Sequence, residues 1–178
     1  NFHYSLSAEL KSIISFKDVF RMLRDFGKTT FFKYSEKTPL IKDPIAFFSS
    51  EWLSDTFDMK VIVLIRHPAA FVNSIINAQW DHPFSHFMNQ PILMSDLLSG
   101  FHKEIQLFSN KKQPIIKQAI LLWNIFYSTA YTYKKRNPNW LFIRHEDISR
   151  DPIRYFKEIY KYSELEYSQK ISDYIIKN

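Results

Sequence analysis

The stretch Lys60 to Ala78, KVIVLIRHPAAFVNSIINA, decides the fold expected for this chain. Val61 to Ile65 is an unbroken, mostly β-branched apolar run, which is the pattern of a strand buried on both faces. Arg66 ends the run, and Pro68 suits the first turn of a helix because its missing N–H group is not needed there. The apolar face of the helix predicted to follow consists of Phe71, Val72, Ile75 and Ile76.

A basic residue at the end of this strand, followed by a helix N-terminus, predicts an anion site. Free backbone N–H groups and the helix dipole both favour negative charge at such a place. Eight residues separate Arg66 from Ser74, so a guanidinium group and a hydroxyl two turns further on are predicted to hold one phosphate. The alternative is a buried strand whose last residue is a surface arginine without a ligand.

Working outward, strand and helix patterns alternate along the chain. Helices are predicted over residues 7–26, 46–56, 115–133, 153–162 and 166–176, and extended segments over 31–33, 39–41 and 140–143. The predicted helix over 115–133 carries Ile116, Ile120, Trp123, Tyr127 and Ala130 on one face. Such a succession indicates an α/β fold with a parallel sheet and right-handed crossovers, in one domain spanning residues 1–178.

Two cations are predicted to meet at one rim of that sheet. Ligands of open parallel sheets bind beyond the carboxyl ends of the strands. Lys42 and Arg66 each follow an extended segment, so we expect them to be neighbours although 24 positions separate them.

Composition narrows the class of protein. The 178 residues carry a net charge of +6, and the excess lies in residues 111–178, which hold 13 basic and 7 acidic side chains. No basic and aromatic nucleic-acid module is recognisable, so no nucleic-acid partner is expected. No apolar run approaches the ~20 residues of a membrane span. The chain has no cysteine, which fits a cytoplasmic setting and excludes thiolate catalysis.

Residues 79–113 contain many aromatic side chains and little regular periodicity. A long excursion after the predicted anion-binding helix favours a substrate pocket, and an aromatic flap over the core is the alternative. His82 and His86 have metal-ligand spacing, but Pro83 lies between them and no third ligand is evident, so no metal site is expected. The two glycines, Gly27 and Gly100, lie outside any strand-to-helix turn, which excludes a Walker-type phosphate loop and argues against a nucleotide kinase.

Three segments together resemble the sulfotransferases that use PAPS (3′-phosphoadenosine-5′-phosphosulfate) as sulfuryl donor. The first is IKDP at residues 41–44, with Trp52 behind it. The second is Arg66-His67-Pro68 with Ser74, similar to the family's 3′-phosphate motif. The third is RHED at residues 144–147, followed by Asp151-Pro152, and LLWNIFY at 121–127 resembles the helix before it. The resemblance covers about residues 38–165.

The resemblance implies a P-loop-type, three-layer α/β/α fold with a central parallel sheet, incomplete at its N-terminus. It also implies roles for particular residues. Lys42 would stabilise charge on the leaving phosphate, with Lys37 of EKTP as the alternative lysine. Arg66 and Ser74 would bind the 3′-phosphate, and His145 would lie near the adenine. Glu146 and Asp147 are expected to fix the loop and cap the following helix.

Where the family's cytosolic branch has a histidine base two residues after the lysine, this chain has Pro44. Asp43 is a candidate base, and it could equally cap the next helix. The family's 5′-phosphosulfate loop is missing, so we expect a piece of a longer enzyme that transfers sulfuryl to a hydroxyl or amine of a small-molecule, carbohydrate or lipid acceptor. The rival hypothesis is a non-catalytic nucleotide- or ligand-binding module with the same fold.

Overall fold

The computed structural model describes residues 38–42 and 45–177. The chain divides into two compact units, Asn1–Phe47 and Phe48–Asn178. The helix predicted over 7–26, the extended segment over 31–33, Lys37 and Asp43 all lie outside the described residues. The single domain predicted over residues 1–178 therefore stays a prediction.

The described part is mostly helical and contains one small parallel sheet. A 3₁₀-helix covers Ile45–Ser49 and is followed directly by α1 (Ser50–Phe57). The strands are β1 (Ile62–Ile65) and β2 (Leu141–Arg144). The remaining helices are α2 (Pro68–Asn77), α3 (Ser85–Met88), α4 (Pro91–Ser95), α5 (His102–Asn110), α6 (Ile115–Arg136), α7 (His145–Arg150), α8 (Pro152–Tyr162) and α9 (Gln169–Lys177), with a 3₁₀ turn at Ser99–Phe101. None of these described helices is both long and apolar enough to cross a membrane.

The two strands pair in parallel, as predicted from the alternating pattern. Ile62 lies opposite Leu141, and Ile65 lies opposite Arg144. The start of β1 is held by two further bonds to the Val61 carbonyl, from the Leu141 N–H group at 3.1 Å and from the Tyr162 hydroxyl at 3.1 Å. The α/β character and the parallel pairing are thus present, whereas the further strands of a three-layer sheet stay a prediction.

The expectation that β1 is buried on both faces is wrong. Val63 is buried, but Leu64 keeps 57% of its surface exposed. An inner strand of a large parallel sheet is buried because helices cover both faces of the sheet. In the described part of the chain the sheet has only two strands, and the face that carries Leu64 is less covered. Residues 38–42 likewise form no strand, and Pro39 offers no N–H group to a sheet ladder.

The core lies between α6 and the aromatic segment 79–113. Its buried cluster consists of Phe84, Phe87, Met94, Leu98, Ile105, Leu121, Leu122 and Ile125. Part of this aromatic segment therefore belongs to the core, as the flap alternative expects, and a substrate pocket in the segment stays a prediction.

On α6 the predicted face is buried in part. Ala130 is buried and Trp123 is half-buried, whereas Ile116, Ile120 and Tyr127 are each 48% exposed. The neighbouring row of Leu122, Ile125 and Thr129 is buried.

A polar network joins the C-terminal end of α6 to α1 and to the residue that follows α4. Arg136, in the last turn of α6, contacts Asp96 at 2.7 Å and Glu51 of α1 at 3.2 Å. Asn137 donates a hydrogen bond to the same Glu51 at 2.8 Å. The hydrogen bond from Arg136 lowers the pKa of Asp96. These partly exposed pairs fix the position of α1, which precedes β1.

Candidate functional site

The parallel pairing brings the tips of β1 and β2 to one edge of the sheet. Ile65 pairs with Arg144, so Arg66-His67 and His145-Glu146 are the residues that continue past the edge. A hydrogen bond joins the two segments: the His67 N–H group donates to Glu146 Oε1 at 2.8 Å, across 79 residues of sequence. Two of the motifs recognised in the sequence therefore form one contiguous surface.

Helix α2 begins at this edge in the way the sequence predicted. Pro68 is its first residue, and the His67 imidazole caps it by accepting a hydrogen bond from the Ala69 N–H group at 3.2 Å. The chain's own groups thus satisfy the N–H groups of His67 and Ala69. An anion at this helix end must be held largely by side chains, because these two backbone donors already have partners.

Arg66 supplies the first of those side chains. Its side chain is exposed. Its main chain is held by α6, since the Trp123 indole Nε1–H donates a hydrogen bond to the Arg66 carbonyl at 2.9 Å. The same indole stacks on Tyr127, with ring centroids 4.9 Å apart and planes inclined by 11°. A firmly held backbone beneath a free guanidinium group suits a residue that must meet a ligand in one geometry.

Ser74 lies on α2 at its seventh residue and is half-buried. A helix rises 1.5 Å per residue, so Ser74 lies about 9 Å along the axis from Pro68. It shares a helix row with Ala70, one turn nearer to the strand tip. Of the two residues predicted to hold one phosphate, Arg66 thus lies in the connection between β1 and α2, and Ser74 lies on α2. Their joint contact with a phosphate stays a prediction.

The tip of β2 carries the remaining candidates. His145 is exposed and is the first residue of α7, directly after the strand. Arg144 lies 3.8 Å from the Asp147 carboxylate. The hydrogen bond from the His67 N–H group is the largest of the effects that lower the pKa of Glu146. The Glu146 carboxylate is therefore ionised at neutral pH.

Glu146 therefore fixes the loop, as expected from the sequence. The expectation that Glu146 and Asp147 cap the following helix is wrong, because Asp151 is the N-cap of α8 and accepts a hydrogen bond from the Arg154 N–H group at 3.2 Å.

The lysine and base candidates belong to the other unit. Lys42 is exposed within the irregular segment 38–42, and Asp43 lies outside the described residues. The predicted neighbourhood of Lys42 and Arg66 consequently stays a prediction. As for metals, the described residues contain no group of three or more histidine or acidic side chains placed to hold an ion, and the His82 and His86 rings lie 6.3 Å apart.

Two residues of this edge were not assigned a role here by sequence reasoning. Trp123 was recognised as part of a helix pattern, but its bond to Arg66 spans 57 positions and depends on how α6 crosses the sheet. The partner of Glu146 could not be predicted either, because the RHED sequence does not indicate which N–H group donates a hydrogen bond to its carboxylate.

The link between the two tips should depend on pH. Because the pKa of Glu146 is lower in the folded than in the unfolded chain, ionised Glu146 stabilises the fold at every pH above the pKa of an ordinary, unfolded glutamate. That contribution is lost as the pH falls through the lower folded value. Glu146→Gln keeps an acceptor oxygen and removes the charge. We expect the variant to be less stable than the parent at pH 7 in urea unfolding, and the difference to shrink at acid pH, as the pH falls through the folded pKa of Glu146.

An equal difference in stability between parent and variant at both pH values would contradict this reading of the link. Asp147→Asn is the matched control, because Asp147 is the adjacent carboxylate of the same helix turn and no bond joins it to the β1 tip in the described structure. Its pH profile should follow that of the parent more closely than the profile of Glu146→Gln does.

Comparison with known proteins finds no matching family model, no similar curated protein and no similar solved structure.

Proposed function

We propose that this protein binds a 3′-phosphoadenosine nucleotide at the carboxyl edge of β1 and β2, and that it transfers a sulfuryl group from PAPS to an acceptor hydroxyl or amine. The observation that carries the proposal is the junction of the two strand tips. It brings Arg66-His67-Pro68 beside His145-Glu146. The resemblance to sulfotransferases assigns Arg66 to the 3′-phosphate and His145 to the adenine of one nucleotide.

The chemistry of this edge supports a phosphate ligand. Arg66 offers a planar set of donors that matches two phosphate oxygens, and it is exposed beside a helix N-terminus, where the dipole favours negative charge. The Ser74 hydroxyl would add one further donor. His145, exposed at the second tip, offers an imidazole face against which a purine ring would stack.

Transfer requires a further cation at the reacting end of the donor. Negative charge develops on the bridging oxygen as the S–O bond breaks, and an ammonium group there stabilises the transition state. Lys42 is the proposed ammonium group. The acceptor hydroxyl or amine gives up its proton to a base as the new bond to sulfur forms, and 3′,5′-diphosphoadenosine leaves.

Binding is tested by calorimetry with three adenine nucleotides. We expect 3′,5′-diphosphoadenosine to bind at least about tenfold more tightly than adenosine 5′-phosphate, because a charge-assisted contact contributes about 1.5–3 kcal/mol. The 2′,5′-diphosphate is the matched control, since it has the same groups with the phosphate moved by one carbon. Equal affinity for the two diphosphates would mean that the site attracts phosphate only by its charge and does not recognise the 3′ position.

Turnover separates the enzyme from a binding module of the same fold. With PAPS and a mixed set of phenol, sugar and amine acceptors, the enzyme releases 3′,5′-diphosphoadenosine at a rate that depends on the acceptor. A binding module would retain the nucleotide preference and release nothing above the rate in buffer.

A further inference from the structure

A cleft lies at the opposite end of α2 from Arg66. It has a volume of about 390 Å³ and is formed by the loop after α2 and by the C-terminal end of α5 and the start of α6. Six of its lining residues carry the argument, and they are Asp81, His82, Phe84, Phe108, Lys112 and Gln118. Since the ten residues of α2 span about 15 Å, this cleft is separate from the edge that carries Arg66.

The charges of the cleft cancel. Asp81 and Lys112 form an ion pair with each other. A hydrogen bond from Lys112 and a weaker one from Gln118 lower the pKa of Asp81. The Asp81 carboxylate is therefore ionised and paired. Burial lowers the pKa of His82, which keeps its ring neutral at pH 7. A cleft of this kind has no net charge with which to attract an ion, and it therefore suits a neutral ligand.

The apolar wall of the cleft is aromatic. The rings of Phe84 and Phe108 lie 5.1 Å apart in an edge-to-face arrangement with an interplanar angle of 70°. Phe84 is buried and belongs to the core cluster, so this wall is anchored to the rest of the fold. Aromatic walls with a few placed polar groups, in a volume above about 300 Å³, are typical of small-molecule sites.

One polar atom of the cleft residues is buried and unpaired. Within the described structure, His82 Nε2 is out of solvent and has no hydrogen-bond partner. Its backbone is held in place, because the His82 N–H group donates to Gln118 Oε1 at 3.1 Å and Gln118 Nε2 donates to the Gln113 carbonyl at 2.8 Å. An unpaired buried nitrogen destabilises the free protein, and a group that pairs with it would remove that cost.

A hydroxyl group is the natural partner for this nitrogen. It both donates and accepts, so it pairs with the imidazole in either neutral tautomer. Because the second side-chain torsion of histidine is broad, a rotation of the half-buried His82 ring would turn this nitrogen towards the cleft. The rest of the ligand would then lie against the phenyl rings.

We propose that this cleft is a second binding site, for a neutral aromatic compound that carries a hydroxyl group, with His82 as the residue that recognises the hydroxyl. The site is independent of the nucleotide edge and does not rest on sulfuryl transfer.

The test uses two ring compounds that differ by one hydroxyl group, 4-methylphenol and toluene, and follows backbone amide shifts by NMR. We expect 4-methylphenol to bind about tenfold more tightly than toluene, the factor that one hydrogen bond contributes. The largest shifts should fall at residues 81–85 and 108–118. In His82→Phe, which keeps a ring and removes the nitrogen, the two compounds should bind equally and the melting temperature should rise.

His86→Phe is the matched control, since His86 is exposed on α3 and does not line the cleft; it should keep the preference for 4-methylphenol. A His82→Phe variant that retains the preference would overturn the proposal. So would shifts located elsewhere in the parent protein, or no binding of 4-methylphenol at all, and these two results do not depend on whether the variant folds.

Discussion

Replacing Ile125 by alanine is expected to lower the free energy of unfolding by about 2–5 kcal/mol, the range for truncating a fully buried aliphatic side chain. Ile125 is 0% exposed and lies in the middle of α6, within the cluster that includes Phe84, Phe87 and Leu98. The closely packed side chains of this cluster cannot fill the space left by three methyl or methylene groups without leaving their rotamers. Urea unfolding followed by circular dichroism measures the loss.

Ile120 provides the control on the same helix. It is the same residue type, but 48% of its surface is exposed, so Ile120→Ala should cost about 1 kcal/mol or less. The comparison tests which face of α6 is buried. Should Ile120→Ala prove as destabilising as Ile125→Ala, the orientation of the central helix described here would be wrong.

Lys42→Ala is expected to reduce PAPS turnover by about a hundredfold, the scale on which loss of one transition-state donor acts. The proposed role is specific: the ammonium group meets charge that is absent in the ground state and appears as the S–O bond breaks. The affinity for 3′,5′-diphosphoadenosine should therefore change little, while the turnover number falls. Stopped assays of released diphosphoadenosine at saturating PAPS, together with calorimetry, separate the two quantities.

Lys37→Ala is the control for this prediction, because Lys37 is the alternative lysine of the chain's K-T-P sequence. We expect it to retain most of the turnover. A hundredfold loss in Lys37→Ala with normal turnover in Lys42→Ala would transfer the role to Lys37. Comparable turnover in both variants and the parent would show that neither Lys42 nor Lys37 takes part in the transfer.

The junction of β1 and α2 was predictable because its signals are local. An apolar β-branched run predicts the strand, and Pro68 marks the first turn of the helix, where the structure has it. The parallel neighbour was also predictable, since a strand, long helices and a second strand favour a crossover connection. These elements need little information from distant parts of the chain.

The orientation of α6 was not predictable from its sequence. The 22-residue helix carries two adjacent apolar rows, one through Ile116, Ile120 and Tyr127 and one through Leu122 and Ile125. Helical periodicity identifies both rows equally well. The choice between them depends on the aromatic segment 79–113, whose rings pack on the second row, and that segment has no periodicity from which its course could be inferred.

The residues of the candidate site could be proposed from the sequence, but the bonds between them could not. Arg66 and Ser74 were proposed from their spacing, and His145 from the resemblance of the RHED segment to the sulfotransferase family. The bonds that organise the edge, from His67 to Glu146 and from Trp123 to Arg66, join residues 79 and 57 positions apart. Pairing of that kind is set by the packing of whole elements, so a single sequence holds no direct signal for it.

The central claim is that the Arg66 guanidinium group binds the 3′-phosphate, and a thermodynamic cycle measures this contact directly. The binding free energies of 3′,5′-diphosphoadenosine and adenosine 5′-phosphate are determined by calorimetry for the parent protein and for Arg66→Ala. Arg154→Ala, which removes an exposed arginine of α8, controls for the loss of one positive charge. We predict a coupling of about 2 kcal/mol, or roughly 30-fold, between Arg66 and the 3′-phosphate, and little coupling for Arg154. An Arg66→Ala variant that discriminates between the two nucleotides as well as the parent does would contradict the claim.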